Sequence, residues 1–150
     1  MQRVALITGG MGGLGEAACL KLAALGDKVI TTYSPHNTKA HDWLRRMNDM
    51  GYGFKAYPCD VSDFDSCKEC VELVVAENGP IDVLINNAGI TRDMTFKKMT
   101  KADWDAVMHT NLDSVFNMTK QVLDGMVERG WGRIINVSSV NGTKGAFGQT

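Results

Sequence analysis

The sequence predicts an α/β fold, a doubly wound parallel sheet with helices on both faces. Three observations predict it. Apolar or β-branched runs alternate with helical stripes from one end of the chain to the other. The connections between them are short, as βαβ units require. Finally, TGGMGGLG, with five glycines in the eight positions from Thr8 to Gly15, joins the first apolar run to the first helical stripe.

The elements follow in order. RVALIT is a continuous apolar run, as expected of a parallel strand buried on both faces. After the glycines, Leu14, Ala18, Leu22 and Leu25 recur at helical spacing until Gly26 ends the helix. KVITTY is rich in β-branched residues and forms the second strand. Ala40, Trp43, Leu44 and Met47 make a helical stripe that stops at Gly51. FKAYPCDV is the third strand, with Pro58 near its end, where a missing N–H does least harm. Ser62 followed by Asp65 resembles a capping box and opens a helix that runs to Gly79. IDVLINNAG is the fourth strand. Thr100 and Asp103 make a second cap and start a long helix with Trp104, Val107, Met108, Val115 and Phe116 on its inner face. GRIINVSS is the fifth strand.

A length of 150 residues suits one packed domain. The 44% hydrophobic and 22% charged content describes a globular protein rather than a disordered or fibrous one. Net charge is −1 and both signs are mixed along the chain, which argues against a nucleic-acid partner. No apolar stretch approaches the roughly 18 residues that would span a membrane. The first apolar run is too short for a signal-peptide core, so no membrane is expected and the cytoplasm is the expected compartment.

Four cysteines stand at 19, 59, 67 and 70. The CKEC pair invites a redox or zinc reading. Zinc would need a second pair or a histidine cluster, which His36, His41 and His109 do not supply. The pair also falls inside a helix, where Cys67 shares an apolar stripe with Phe64, Val71, Val74 and Val75. Core packing by reduced thiols is the expectation, and no metal site is assigned.

A glycine turn between strand and helix fits the dinucleotide-binding logic. Glycine lets backbone approach a pyrophosphate, and the helix behind it offers free N–H groups and a positive dipole end. Flanks this apolar rule out a linker.

Thr8, Gly9, Gly13 and Gly15 match the T-G-x-x-x-G-x-G pattern of the short-chain dehydrogenase/reductase family. NNAG at 86–89, Asn111 in HTNLDSVFN and NVSS at 136–139 resemble three further family segments, in family order. The chain is thus similar to that family over residues 3–150, which implies a Rossmann-type sheet and covers about its first five strands. More narrowly, NNAGITRD, KMTKADWDAV and GWGRIINVSSVNGTKGAFGQT resemble the branch of acetoacetyl-CoA reductases, which supply 3-hydroxybutyryl-CoA for polyhydroxybutyrate synthesis. The 3-oxoacyl-acyl-carrier-protein reductases share most of these stretches, but residues 1–150 show no basic cluster for docking an acidic carrier. A non-catalytic dinucleotide sensor or scaffold is a third reading.

The resemblance implies residue roles. Ser139 would hold the substrate carbonyl, and Asn111 would hold a water in a proton relay. The family's active-site Tyr follows its Ser by about thirteen residues and a Lys follows the Tyr by four. Both would fall beyond Thr150, so the chain is expected to be the dinucleotide-binding part of a longer single-domain enzyme. Gly12, Gly13 and Leu14 would meet the pyrophosphate, with Gly9 and Gly15 of the same turn also binding cofactor. Asp60 and Val61 would cradle adenine, and Asn87, Ala88 and Gly89 would pass beneath ribose and nicotinamide. No acid follows the second strand, which favours NADPH over NADH, with Lys39 or His36 near the 2′-phosphate. Gly12 stands where many NADPH-using members carry Arg. Ala146, Phe147, Gly148 and Gln149 would contact an acetoacetyl group, with Phe147 narrowing the pocket and Asp93 in a loop that closes over it. Members are usually homotetramers, and Trp104, Val107, Val115 and Phe116 would serve core and interface together.

Overall fold

The computed structural model describes residues 2–149. Five strands form one sheet in the order β3-β2-β1-β4-β5. They are β1 (Val4–Ile7), β2 (Lys28–Tyr33), β3 (Lys55–Pro58), β4 (Val83–Asn86) and β5 (Arg133–Asn136), and every pairing is parallel. The chain moves outward from β1 to β3 and then crosses to β4 on the other side of β1. This reversal opens a crevice beyond the carboxyl ends of β1 and β4, the usual ligand position in such sheets.

Register sorts the core into two layers. Leu6 sits level with Ile30 and Leu84, and all three face α3 (Phe64–Asn78) and α5 (Ser114–Glu128). Ala5, Ile7, Val29, Val83 and Ile85 face the other way, onto Cys19, Ala18 and Leu22 of α1 (Gly13–Ala24). α2 (Ala40–Asp49) lies outside β3, and α4 (Lys101–Met108) precedes α5. A short α6 (Asn141–Lys144) follows β5. No helix among the described residues is long and apolar enough to cross a membrane.

Several local expectations shift. α3 is capped by Asp63, whose carboxylate accepts from Ser66 N–H at 2.6 Å, and not by Ser62. The Ser62 hydroxyl instead donates to Asp60 Oδ1 at 2.6 Å. Two capping residues stood side by side, and the carboxylate took the helix. Along α3 the buried face is Cys67, Cys70, Val71 and Val74, while Phe64 and Val75 lie outside. α1 buries Gly15 and Cys19, whereas Leu14 and Leu25 are exposed.

The long helix is not continuous. A capping box at Thr100 and Asp103 opens α4 as expected. A π-helical turn, His109–Asp113, then separates it from α5. α5 turns Ser114, Asn117, Met118, Val122 and Met126 inward. Phe116 points outward and stacks on Phe64 with ring centroids 6.2 Å apart, and Val115 is half-buried. Asn117 on that inward face reaches the segment before α3, where its Nδ2 donates to Val61 O at 3.0 Å.

Candidate functional site

The glycine turn is built by residues on three strands. The Thr8 hydroxyl, buried at the end of β1, accepts the N–H groups of Asn87 and Ala88, each at 3.0 Å. The Asn87 amide returns two bonds, to Thr8 O at 3.0 Å and Gly9 O at 3.1 Å. Thr31 on β2 accepts the Gly10 N–H at 2.8 Å and donates to Ile7 O at 2.9 Å. Thr32 accepts the Gly9 N–H at 3.4 Å. KVITTY reads as ordinary β-branched strand sequence, so these two buried threonines carry no local signal. Thr8 had one, as the first letter of the glycine motif.

These bonds shape a cleft of about 470 Å³. Gly9, Gly12, Gly13, Leu14 and Gly15 form one wall, and Asn87, Ala88 and Gly89 form another. Asp60 and Val61 close the end beyond β3, with Cys59 beside them, while Thr32, Tyr33 and Ser34 stand at the end of β2. Ile90 and Thr110 complete the lining. All ten of those expected cofactor residues meet in one place. The eleventh, Lys39, does not. It precedes α2 at the N-cap position and donates its main-chain N–H to Asn37 Oδ1 at 2.9 Å. Asp60 is the one charged residue among the described lining.

The chemistry of this lining fits a dinucleotide. No side chain caps α1, and its first internal bond runs from Glu16 N–H to Gly12 O at 2.7 Å. The N–H groups of Gly13, Leu14 and Gly15 therefore lie ahead of the helical ladder, at the positive dipole end. A Cβ on Gly13 would meet nothing within 4 Å, so this stretch is open to a ligand. Gly15 is different: a Cβ there would lie 2.5 Å from Gly9 O and 2.7 Å from Asn87 Nδ2. An anion at this end of the cleft would meet backbone N–H groups and the helix dipole, with no cation among the described lining residues. Asp60 Oδ1 accepts from Ser62, which leaves Oδ2 for an amino group of a ligand.

A second cavity of about 380 Å³ adjoins the cleft through Ile90. Ser139, Asn111, Asp93 and Gln149 line it, with Trp104, Val107 and Met108 supplying apolar surface. Gln149 Nε2 donates to Asp93 Oδ2 at 3.3 Å and Gln149 Oε1 accepts from Asn141 at 2.6 Å. Ser138 is not in this lining. Both serines lie past the end of β5, and the Ser139 hydroxyl accepts the Asn141 N–H at 3.2 Å. Asn111 sits in the π turn with its amide committed to one partner. It accepts Ile90 N–H at 2.8 Å and donates to Ile90 O at 2.9 Å. The side chain pins the wall between the two cavities and keeps one N–H and one lone pair for other partners.

Of the residues expected around the acyl group, Asp93 and Gln149 line this cavity. Ala146, Phe147 and Gly148 are outside the lining, and Phe147 is 97% exposed. An isolated antiparallel bridge joins Ala146 to Gln149 in this tip. The sequence also carried no sign of the Asn86–Asn136 bond, 2.9 Å, which ties the ends of β4 and β5 together below the site.

A family model of short chain dehydrogenases matches residues 3–150. The chain belongs to the short chain dehydrogenase family. Among curated members, an acetoacetyl-CoA reductase of Cupriavidus necator is 56% identical over 149 residues, 99% of this chain and 61% of its own length. A nodulation protein G of Azospirillum brasilense is 55% identical with the same coverage. A 3-oxoacyl-acyl-carrier-protein reductase FabG of Thermotoga maritima is 43% identical over 99% of this chain and 60% of its own length. The chain thus spans about three fifths of the length of the short chain dehydrogenases it matches.

Proposed function

We propose that the protein is a cytoplasmic, NADPH-dependent reductase of acetoacetyl-CoA or a similar short 3-ketoacyl-CoA, giving the 3-hydroxyacyl thioester. The observation that carries this reading is the continuity of two cavities. A glycine-walled cleft with an open helix N-terminus meets, at Ile90, a smaller cavity lined by Ser139 and Asn111. The 56% identity to a protein named acetoacetyl-CoA reductase supports the substrate class.

Bound in the cleft, the dinucleotide supplies a hydride for the 3-keto carbon. The chain's own residues position the reactants. The N–H groups of Gly13, Leu14 and Gly15 would hold the pyrophosphate, and the Asp60 carboxylate would accept from the adenine amino group. Ser139 donates a hydrogen bond to the keto oxygen, and that bond strengthens as negative charge develops there. Asp93 and Gln149, bonded to each other, orient the acyl portion. Asn111 holds the wall at Ile90 in place, and its remaining N–H and lone pair serve an ordered water. The proton for the oxygen comes from a Tyr that the resemblance locates beyond Thr150, assisted by a Lys that lowers its pKa. NADPH is preferred because Thr32, Tyr33 and Ser34 bring no carboxylate to the end of β2, and a carboxylate there would repel a 2′-phosphate. Subunits associate as a homotetramer through the exposed face of α5, where Phe116, Leu123 and Val127 stand.

The test is NADPH oxidation by the protein with its Tyr and Lys present, offered acetoacetyl-CoA, a carrier-bound 3-ketoacyl substrate, and NADH as alternative donor. Turnover concentrated on acetoacetyl-CoA with NADPH is expected. Preference for the carrier-bound substrate would move the protein to fatty-acid synthesis. Dinucleotide binding with no turnover on either substrate would leave a sensor.

A further inference from the structure

Three thiols converge beneath the adenine end of the cleft. Cys59 follows β3, lines the cleft and is 3% exposed. Cys67 and Cys70 lie about one turn apart on α3, both buried. The Sγ atoms of Cys59 and Cys67 are 3.9 Å apart, and all four cysteines are free. The Cys67 thiol also donates to Val61 O at 3.5 Å and Asp60 O at 3.7 Å. Its hydrogen bonds therefore support the two residues that close the cleft.

The thiols are not equivalent. Hydrogen bonding with Cys67, and then with Cys70, lowers the Cys59 thiol from its ordinary value and outweighs its burial. The same bonds to Cys59, joined by burial, push Cys67 and Cys70 upward. The sulfur with the lowered pKa is thus the one bordering the cleft. Thiolate is the reactive form, and a protonated partner at van der Waals distance is placed to resolve what it forms.

We propose that Cys59 and Cys67 are a peroxide-oxidisable pair whose disulfide reshapes the cleft and weakens dinucleotide binding. The Cys59 thiolate attacks one oxygen of hydrogen peroxide and the O–O bond breaks. The departing hydroxide takes a proton to become water, leaving Cys59 as a sulfenic acid. The Cys67 sulfur attacks that sulfur, and the OH leaves with the Cys67 proton as a second water. Two thiols give up two electrons and two protons, and one peroxide receives both. The sulfurs must close to about 2.05 Å. Closure from 3.9 Å moves Cys59, which lines the cleft, and takes the S–H from Asp60 O and Val61 O, while Val61 O keeps its bond from Asn117. A thiol reductant reverses the change, as expected of an intracellular disulfide that regulates rather than braces. The loss of affinity rests on the cleft being the dinucleotide site, whereas formation of the bond does not.

Trypsin makes the bond directly readable. Cleavage after Lys55 and Lys68 leaves Cys59 and Cys67 on one peptide, Ala56–Lys68, and puts Cys70 on the next. The protein is treated with hydrogen peroxide, alkylated without reductant, digested and weighed. In parallel, NADPH and NADH are titrated by fluorescence before treatment, after it, and after dithiothreitol. The expected result is an unalkylated Ala56–Lys68 peptide two hydrogens lighter than the dithiol. Affinity is expected to fall about fivefold or more, a typical coupling between two linked sites, and to return on reduction. Cys67→Ala should abolish the bond and the peroxide response, while Cys70→Ser should keep the bond. Full alkylation of both cysteines after peroxide, or a cross-link to the Cys70 peptide, overturns the pairing. A disulfide that leaves the affinity of a binding-competent protein unchanged overturns the control. Reduced protein that binds neither dinucleotide sinks the reading of the cleft, and the peptide mass still decides the bond.

Discussion

Gly13 and Gly15 are two residues apart in the same turn, yet they are glycine for different reasons. A methyl group on Gly15 would strike main-chain atoms of Gly9 and Gly10 and the Asn87 amide, none of which can swing away. Gly15→Ala is therefore expected to cost about 1–3 kcal/mol in folding stability and to abolish dinucleotide binding. Gly13 opens α1, and a Cβ there would meet nothing. Gly13→Ala should hold or raise stability, by up to about 1 kcal/mol from helix propensity. It should still weaken dinucleotide binding, because the methyl would stand between the helix N-terminus and a phosphate. Urea denaturation and dinucleotide titration on the two variants separate packing from ligand contact. Equal loss of affinity and stability in both variants would deny Gly13 its place against the ligand. Thr8 offers a companion case. Its hydroxyl accepts two buried N–H groups, so Thr8→Val should cost about 1–3 kcal/mol, while Thr8→Ser should recover most of it.

At the scale of elements, α4 rests on a local device with a pH signature. The Thr100 hydroxyl accepts Asp103 N–H at 3.1 Å, and the Asp103 carboxylate accepts both the Thr100 hydroxyl and its N–H. These bonds hold the Asp103 carboxyl below the usual range. A carboxyl with a lowered folded pKa adds stability above its unfolded pKa and loses it as pH falls through the folded value. Thr100→Ala should cost about 1 kcal/mol near neutral pH and flatten the acid limb of the stability curve. An unchanged acid limb in the variant would mean the box contributes nothing to α4. This cap was legible in the sequence because donor and acceptor are three residues apart and no competing cap stands beside them. The Asp63 cap was misplaced by one because Ser62 offered a rival, and Asp60, a neighbour in the fold, claimed the Ser62 hydroxyl. The five strands and the glycine turn were legible because each is announced by a short run. The inward face of α5, the π turn at Asn111 and the exposure of Phe147 were not. Each depends on which distant element packs alongside, and apolar spacing does not record that.

Across the whole molecule the sheet is covered unevenly, and stability should follow the cover. Ile85 on β4 and Ile135 on β5 are register partners, so their side chains share a face. α1 packs on that face over β1, β2 and β4, and Ile85 is 7% exposed. Nothing among the described residues covers β5 there, and Ile135 is 48% exposed. The same truncation at two adjacent positions therefore removes different amounts of buried surface. Ile85→Ala should cost about 2–5 kcal/mol, within the range for a buried isoleucine. Ile135→Ala should cost less than about half of that, since much of its side chain is already in water. Both variants keep the hydrogen-bond ladder, and the strands cross-pair at the same level, so β propensity cancels in the comparison. Denaturant midpoints at a common slope would measure the difference. A cost at Ile135 equal to that at Ile85 would mean that some further element lies over β5, and the uneven sheet of residues 2–149 would then be one side of a larger core.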